Sequence, residues 1–173
     1  MQIEKINVGS LRTNCYFIID DKKNCIVVDP GDEFLKIEEK LKDLNLVGIL
    51  VTHSHYDHIG ALEELEEKYN LTHNKFQIDG FNFEVIKTPG HRYDSVTFYF
   101  ETEKIMFTGD FLFKDTYGRI DLEGSNPKDM YESLAMIKKY PDDVRIFPGH
   151  GKDSNLGYEK SNIDNYLNYY YGN

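Results

Sequence analysis

Cysteine is scarce in this sequence, which has two among its 173 residues, Cys15 and Cys25. With no cysteine near any histidine motif, a sulfur-rich structural zinc site is disfavoured. The two cysteines lie on the predicted strands 15–19 and 25–29, which form a hairpin in which Cys15 faces residue 28 or so. Because Cys15 does not face Cys25 in this register, a disulfide between them is not expected.

Long apolar runs and an excess of basic residues are also lacking. No stretch approaches the ~20 apolar residues of a membrane-spanning helix, and residues 1–5 lack the pattern of a signal peptide, so we expect a cytoplasmic protein. Basic residues number 20 against 30 acidic ones, and the net charge of −10 disfavours nucleic acid and anionic membranes as partners. We therefore expect a small-molecule substrate, and the sequence leaves the oligomeric state, monomer or homodimer, open.

Histidine, by contrast, is concentrated in one segment, residues 52–60. Directly after the apolar run 47–51, it holds His53, His55, Asp57 and His58. Side chains two residues apart point the same way on an extended segment but about 200° apart on a helix, so His53 and His55 are predicted at a strand end. A polar turn that holds a histidine by chance would explain one of these residues, but not four residues of metal-binding type within one short segment. Imidazole and carboxylate groups suit zinc, iron, manganese or nickel.

The patterns of apolar residues predict one α/β domain over residues 1–173. We expect strands at 1–8, 15–19, 25–28, 47–51 and 144–147, and hairpins of 76–78 with 81–86 and of 96–100 with 104–107. Helices are expected at 34–44, at 61–69 and after Asn126-Pro127. Residues 155–171 are expected to form a helical or partly irregular segment. The tyrosines of this last segment are expected to pack on the domain, with a subunit contact as the alternative.

Three further predicted strands stop at a glycine that a metal-type side chain follows. These are the pairs Gly90-His91, Gly109-Asp110 and Gly149-His150. A glycine lets the backbone turn sharply beside a crowded site. Any one pair could be a simple loop start, but with His53 the set predicts four strand ends that present ligands at one rim. His73 is left over and is expected to be an exposed surface residue.

These motifs, in this order, resemble the metallo-β-lactamase superfamily, and within it the glyoxalase II branch of hydroxyacylglutathione hydrolase-like proteins. The resemblance covers almost the whole chain. It rests on the T-H-x-H-x-D-H block, the two Pro-Gly-His motifs and the Thr-Gly-Asp motif. It implies a four-layer αββα sandwich of two mixed sheets with helices outside and a dinuclear metal site at one edge.

The resemblance also implies a ligand set. His53, His55 and His91 would hold the first metal, Asp57, His58 and His150 the second, and Asp110 would bridge both. The implied cofactors are two divalent ions, with zinc expected and iron or manganese as alternatives. Asp29 resembles the family's carboxylate that orients a metal ligand, although by itself it is equally a helix-capping turn residue.

The activity implied is that of a hydrolase in which a metal-bridging hydroxide attacks a small thioester or ester, with Asp57 and Asp110 as the catalytic carboxylates. No serine or cysteine nucleophile motif is present. Arg119 stands where the branch has a basic residue that contacts the thiol part of the substrate. The alternative for Arg119 is an ion pair with Asp121.

Other functions remain open at this point. An oxidoreductase resembling the persulfide dioxygenases would use one iron held by His53, His55 and Asp110. Another hydrolase of the same fold would act on a lactone, a phosphodiester or a β-lactam, and a metal-binding module without catalysis is the third alternative. The sequence given ends at Asn173, where glutathione-specific members of the branch continue into a helical region, so the resemblance leaves the thiol part of the substrate open.

Overall fold

The computed structural model describes residues 1–172. The chain forms two units, Met1–Phe83 and Glu84–Asn173. Each unit has a mixed β-sheet and its own helices, so the predicted class of two mixed sheets with helices is confirmed. The prediction of one domain over residues 1–173 stays a prediction.

The first unit contains a four-stranded sheet in the order β1-β2-β3-β4. Its strands are β1 (Gln2–Val8), β2 (Thr13–Ile19), β3 (Asn24–Val28) and β4 (Asn45–Leu50), and its helices are α1 (Phe34–Leu41), α2 (Tyr56–Ile59) and α3 (Leu62–Tyr69). The first three strands form an antiparallel meander, and β3 pairs with β4 in parallel. Parallel pairing needs a crossover, which α1 provides, and it brings the ends of β3 and β4 to the same edge.

The core of this unit lies between the sheet and helices α1 and α3. Alternate residues of β2 and β3 point to one face, and Cys15, Phe17 and Val27 on that face are buried with Ile37 of α1 and Leu65 of α3. The helical periodicity predicted from residue 34 is confirmed, but α1 ends at Leu41 rather than near Leu44. Leu44 still packs on the core from the turn that follows.

The second unit contains a five-stranded sheet in the order β11-β10-β7-β6-β5. Its strands are β5 (Glu84–Lys87), β6 (Val96–Phe100), β7 (Ile105–Gly109), β8 (Leu112–Phe113), β9 (Thr116–Tyr117), β10 (Arg145–Pro148) and β11 (Ser154–Asn155), and its helices are α4 (Pro127–Ile137) and α5 (Leu156–Tyr171). Strands β8 and β9 form a small separate hairpin inside what the sequence predicted as a loop. The predicted start of α4 is confirmed, because the Asn126 side chain accepts hydrogen bonds from the first turn.

The tyrosines of α5 divide between the core and the surface. The Tyr170 ring stacks on Tyr131 at 3.9 Å, and the Tyr166 ring contacts Tyr117 edge to face. Tyr170 stays 37% exposed despite this stacking, and Tyr169 and Tyr171 are exposed as well. Packing within this unit, the predicted role, is therefore confirmed for Tyr166 and Tyr170.

The hairpin predicted for residues 76–86 is wrong. Only an isolated bridge joins Ile78 and Phe81 around the Asp79-Gly80 turn. The segment from Glu84 instead forms β5 and pairs with β6. This pairing has four successive residue pairs, whereas the Asp79-Gly80 turn is closed by a single bridge. A turn signal predicts where a chain reverses, but the strand with which the following segment pairs depends on packing against cross-strand neighbours, which the local sequence does not show.

Both cysteines are free and buried, so the predicted absence of a disulfide is confirmed. Burial raises the pKa of the Cys25 thiol to about 12 and holds the pKa of Cys15 well above its ordinary value. Both thiols therefore stay protonated at neutral pH and are poor nucleophiles. Within residues 1–172, no helix combines the length and apolar composition needed to cross a bilayer.

Candidate metal centre

The histidine segment of the first unit is extended up to His55, and helix α2 begins at Tyr56. His53 and His55 therefore point to the same side, as their spacing predicts. The His53 Nε2 and His55 Nδ1 atoms lie 3.0 Å apart. His58, one turn into α2, places its ring 4.2 Å from that of His53. The strand end and the helix start thus bring three imidazoles together within one short segment.

Asp29 lies directly behind two of these histidines because β3 and β4 are parallel and end at the same edge. The carboxylate is 1% exposed. Its Oδ1 accepts a hydrogen bond from the Thr52 backbone N–H at 2.7 Å, and its Oδ2 accepts from the Thr52 hydroxyl at 2.7 Å. The same Oδ2 lies 2.9 Å from His58 Nδ1. A carboxylate only accepts, so His58 carries its proton on Nδ1.

The proton position in His53 follows from the same network. The Thr52 hydroxyl has one proton, which it donates to Asp29, and its oxygen lies 3.1 Å from His53 Nδ1. The hydroxyl must therefore accept from His53, which places the His53 proton on Nδ1 as well. One buried carboxylate thus sets the tautomer of both rings: in the neutral form of each ring Nε2 is the unprotonated nitrogen, the one that can bind a metal ion.

Asp57 completes the group in the first unit. Its Oδ2 accepts a hydrogen bond from the Thr13 hydroxyl at 3.0 Å and lies 3.6 Å from His58 Nε2. Its side chain is 13% exposed. An acid and an imidazole nitrogen therefore face each other at the start of α2.

The predicted ligands of the second unit meet because three strands run in the same direction. Strand β7 is parallel to β10, and β6 lies antiparallel between β7 and β5, so β5, β7 and β10 end at one edge of the sheet. Asp110 Oδ2 lies 3.7 Å from His91 Nε2 and 3.5 Å from His150 Nε2. One carboxylate oxygen of Asp110 therefore lies near both histidines; its role as a bridging ligand stays a prediction.

The segment after β9 fixes the His91 ring through a hydrogen bond to Nδ1, the ring nitrogen that does not face Asp110. His91 Nδ1 donates a hydrogen bond to the Arg119 carbonyl at 2.8 Å, which leaves Nε2 as the nitrogen that can bind a metal ion in the neutral ring. The Arg119 guanidinium points elsewhere and binds both carboxylate oxygens of Asp121, at 2.9 and 3.0 Å. The ion pair that the sequence offered as an alternative is thus present, and it raises the pKa of Arg119. A substrate contact by Arg119 stays a prediction.

In each unit a glycine lies close to the backbone of the aspartate that is predicted to bind a metal ion. A Cβ on Gly31 would lie 1.7 Å from the Asp57 carbonyl oxygen, and one on Gly118 would lie 1.8 Å from the Asp110 carbonyl oxygen. Neither glycine is among those with positive φ, so lack of space rather than backbone conformation demands glycine at both positions. The Gly118 position would also bring a Cβ to 3.1 Å from the His91 Cβ.

Gly118→Ala is expected to weaken metal binding by about 10- to 100-fold, because the new methyl group must push the Asp110 backbone and His91 apart. Overpacking at this buried position should also lower the free energy of unfolding by about 1–3 kcal/mol. Zinc affinity by chelator competition and thermal unfolding of the metal-free protein measure the two effects. Lys114→Ala, at an exposed residue of the β8–β9 hairpin, is the control, and equal behaviour of the two variants would contradict the expectation.

The distances fit divalent metal ions. Two ligand atoms that are each about 2.1 Å from one zinc ion at a tetrahedral angle lie roughly 3.4 Å apart. The separations within the units are 3.0 Å for His53 and His55, 3.6 Å for Asp57 and His58, 3.7 Å for His91 and Asp110, and 3.5 Å for His150 and Asp110. The donors are imidazole and carboxylate, which suit zinc and iron alike.

Some residues of the site were not predicted. Thr52 precedes His53 in the motif, and a hydroxyl beside a predicted ligand was an available signal. Thr13 stands far from Asp57 in the chain, and nothing in its surroundings in the sequence indicated the contact. His73, the remaining histidine, has a side chain that is 40% exposed and binds Glu66 in the first unit.

Comparison with known proteins gives two kinds of match. A family model described as the metallo-β-lactamase superfamily matches residues 8–82 and 71–150. Hydroxyacylglutathione hydrolase GloC from Haemophilus influenzae is 32% identical in an alignment of 206 positions that covers 92% of this chain and 95% of that protein. Hydroxyacylglutathione hydrolase from Francisella tularensis subsp. novicida is 34% identical in an alignment of 194 positions that covers 98% of this chain and 77% of that protein.

Solved structures are similar over most of their length. BLEG-1 B3 metallo-β-lactamase has a TM-score of 0.86 and 27% identity, over 92% of this chain and 97% of that chain. TTHA1623 in a di-iron-bound form has a TM-score of 0.82 and 29% identity, over 90% and 96%. ETHE1 from Myxococcus xanthus has a TM-score of 0.84 and 25% identity, over 96% and 85%. The predicted metallo-β-lactamase fold is thereby confirmed.

Proposed function

Because this chain belongs to the metallo-β-lactamase superfamily and is a metal-binding hydrolase of that family, we propose that it hydrolyses a small thioester or ester at a centre of two divalent ions. The two hydroxyacylglutathione hydrolases support the substrate class, because a hydroxyacylglutathione is a thioester. The proposal rests above all on three histidines, His53, His58 and His91. Each donates its Nδ1 proton to an oxygen of the protein, so that Nε2 is the nitrogen that faces the site.

The proposed ligand assignment is the one that the family resemblance implies. His53, His55 and His91 hold one ion, Asp57, His58 and His150 hold the other, and Asp110 holds both. Within each unit the separations support it, since every pair assigned to one ion is 3.0–3.7 Å apart. Zinc is our first candidate for both positions.

Divalent ions, when bound, supply a water of lowered pKa and polarise the substrate carbonyl. The residues of the chain supply the geometry. Asp29 holds the Nδ1 protons of His58 and, through Thr52, of His53, so that in the neutral rings the Nε2 lone pairs face the site, and the Arg119 carbonyl does the same for His91. Because these partners are fixed before substrate arrives, no proton has to move within the ligand set during turnover.

A substrate panel with a metal count tests the proposal. We expect about two ions per chain and the highest kcat/KM for a hydroxyacyl thioester of a small thiol, ahead of a lactone, a phosphodiester and a β-lactam. His73→Ala removes the histidine outside the motifs and should keep both the metal content and the rate. A lactone, phosphodiester or β-lactam as the best substrate would contradict the thioester assignment.

An iron-dependent oxidoreductase is the second candidate. The similarity to ETHE1 and to the di-iron form of TTHA1623 supports iron as the bound metal. For this alternative, a single iron would be held by His53, His55 and Asp110. One iron per chain together with oxygen uptake on a persulfide, and no thioester hydrolysis, would favour it over the hydrolase.

A further inference from the structure

We propose that Thr13 is a positioning residue for Asp57, and that its hydroxyl aims the Asp57 carboxylate at the metal ion. The inference rests on the proposed function for the role of Asp57 as a ligand, but not on the identity of the substrate. It concerns contacts within the first unit alone.

The position of Thr13 is fixed by the sheet. Thr13 is the first residue of β2 and pairs with Val8 at the end of the β1–β2 ladder. It is 0% exposed, so its hydroxyl cannot exchange its partner for bulk water. The hydroxyl donates to Asp57 Oδ2 at 3.0 Å. A rigid strand end therefore delivers one donor to one carboxylate oxygen.

The position of Asp57 needs such support because α2 is only four residues long. A single helical turn has little stability of its own. The backbone of Asp57 is held by the close approach of Gly31 to its carbonyl oxygen. That contact does not determine the rotation of the carboxylate about its side-chain bonds. The Thr13 hydroxyl acts on this rotation, through a hydrogen bond to a charged acceptor, which is stronger than one between neutral groups.

The geometry links this hydrogen bond to metal binding. The oxygen that accepts from Thr13 is the same Oδ2 that lies 3.6 Å from His58 Nε2. His58 is itself held by Asp29. With both partners fixed from behind, the acid and the imidazole keep a separation that one ion can span. Without the hydroxyl, the carboxylate loses the hydrogen bond that holds Oδ2 on the His58 side.

The alternative is that Thr13 is an ordinary β-branched strand residue whose hydroxyl bonds a nearby acid. The two roles predict different behaviour of isosteric variants. Thr13→Val keeps the shape and removes the hydroxyl, whereas Thr13→Ser keeps the hydroxyl and removes the methyl group. Thr97→Val is the matched control, because Thr97 is also a buried strand residue and its hydroxyl bonds Thr88 rather than a carboxylate.

Titration with cobalt(II), followed by its absorption spectrum, measures metal binding without substrate. We expect Thr13→Val to bind one of the two ions about 10- to 100-fold more weakly than the unaltered chain. Thr13→Ser should restore the affinity to within a few-fold, and Thr97→Val should leave both affinities unchanged. Thermal unfolding of the metal-free proteins shows whether the two valine variants lose similar stability.

Unchanged cobalt affinities in Thr13→Val would overturn the inference, and so would a Thr13→Ser variant that binds as weakly as Thr13→Val. Failure of this inference can be told apart from failure of the proposed function. If the unaltered chain binds two cobalt ions but does not hydrolyse a thioester, only the thioester assignment is refuted. A loss of affinity in Thr97→Val equal to that in Thr13→Val would also count against a specific role for Thr13.

Discussion

Asp29→Asn is expected to move the protons of His53 and His58 from Nδ1 to Nε2 and so to weaken metal binding by about 100-fold or more. The Thr52 backbone N–H has only a donor to offer, so the asparagine carbonyl must take the place of Oδ1. The asparagine NH2 group then stands where Oδ2 accepts from Thr52 and from His58. A donor at that position requires both partners to accept.

The consequences for the two histidines follow from hydrogen-bond donors and acceptors alone. His58 Nδ1 can accept only if its proton moves to Nε2, the atom that faces Asp57. The Thr52 hydroxyl, now an acceptor from the asparagine, no longer gives its own proton to residue 29. It is then free to donate to His53 Nδ1, 3.1 Å away, which favours the same change there. One substitution thus blocks two proposed ligand nitrogens while it changes the side-chain volume very little.

Two measurements check this expectation. Nitrogen NMR of the metal-free protein reports the tautomer of each histidine, and chelator competition reports zinc affinity. The backbone of Asp29 has a φ of +52°, which asparagine tolerates as well as aspartate does, so the variant should fold. Asp32→Asn, at an exposed acid of the same turn, is the control. Unchanged tautomers with full zinc affinity would show that Asp29 does not set them.

Asp110→Ala is expected to lower metal content at both positions and to reduce hydrolysis by more than about 100-fold. Asp110 Oδ2 is the atom that both His91 and His150 approach. Its loss therefore removes a ligand from each proposed ion, and both positions also lose a negative charge. A substitution at a ligand of one ion only, such as His58→Ala, should spare more of the metal.

The metal count of the purified protein and kcat on the best thioester measure this effect. Asp143→Ala is the control, because Asp143 is 57% exposed in the same unit and pairs with Lys104. Asp110→Asn keeps the side-chain volume and separates loss of the ligand from a packing defect. If Asp110→Ala retained two ions per chain and its activity, the bridging role would be wrong.

Much of the site could be predicted from local patterns in the sequence. The two-residue spacing of His53 and His55 predicts an extended backbone that points both rings the same way; the backbone is extended at His55, and the two rings lie 3.0 Å apart at His53 Nε2 and His55 Nδ1. Glycine before His91, Asp110 and His150 indicated strand ends, and β5, β7 and β10 do end just before these residues. These signals are local, since the side-chain direction along a strand is set by the backbone of that strand.

Other features depend on contacts between segments that are distant in the chain. The ladder between β5 and β6 decided against the hairpin that the Asp79-Gly80 turn predicted. The Arg119 side chain binds Asp121, while its backbone carbonyl holds His91. Backbone carbonyls are present at every residue, so no sequence pattern identifies the one that a histidine will use.

The sequence by itself determined which chemical groups are available, imidazoles and carboxylates placed at strand ends without any thiol among them. It also determined the family, because the order of the motifs is specific. Only the tertiary structure decided which nitrogen of each histidine carries the proton and which carboxylate oxygen Thr13 holds. The reason is that a tautomer is set by the partner behind the ring, and the partners Asp29 and Arg119 lie 29 and 28 residues away from His58 and His91 in the chain.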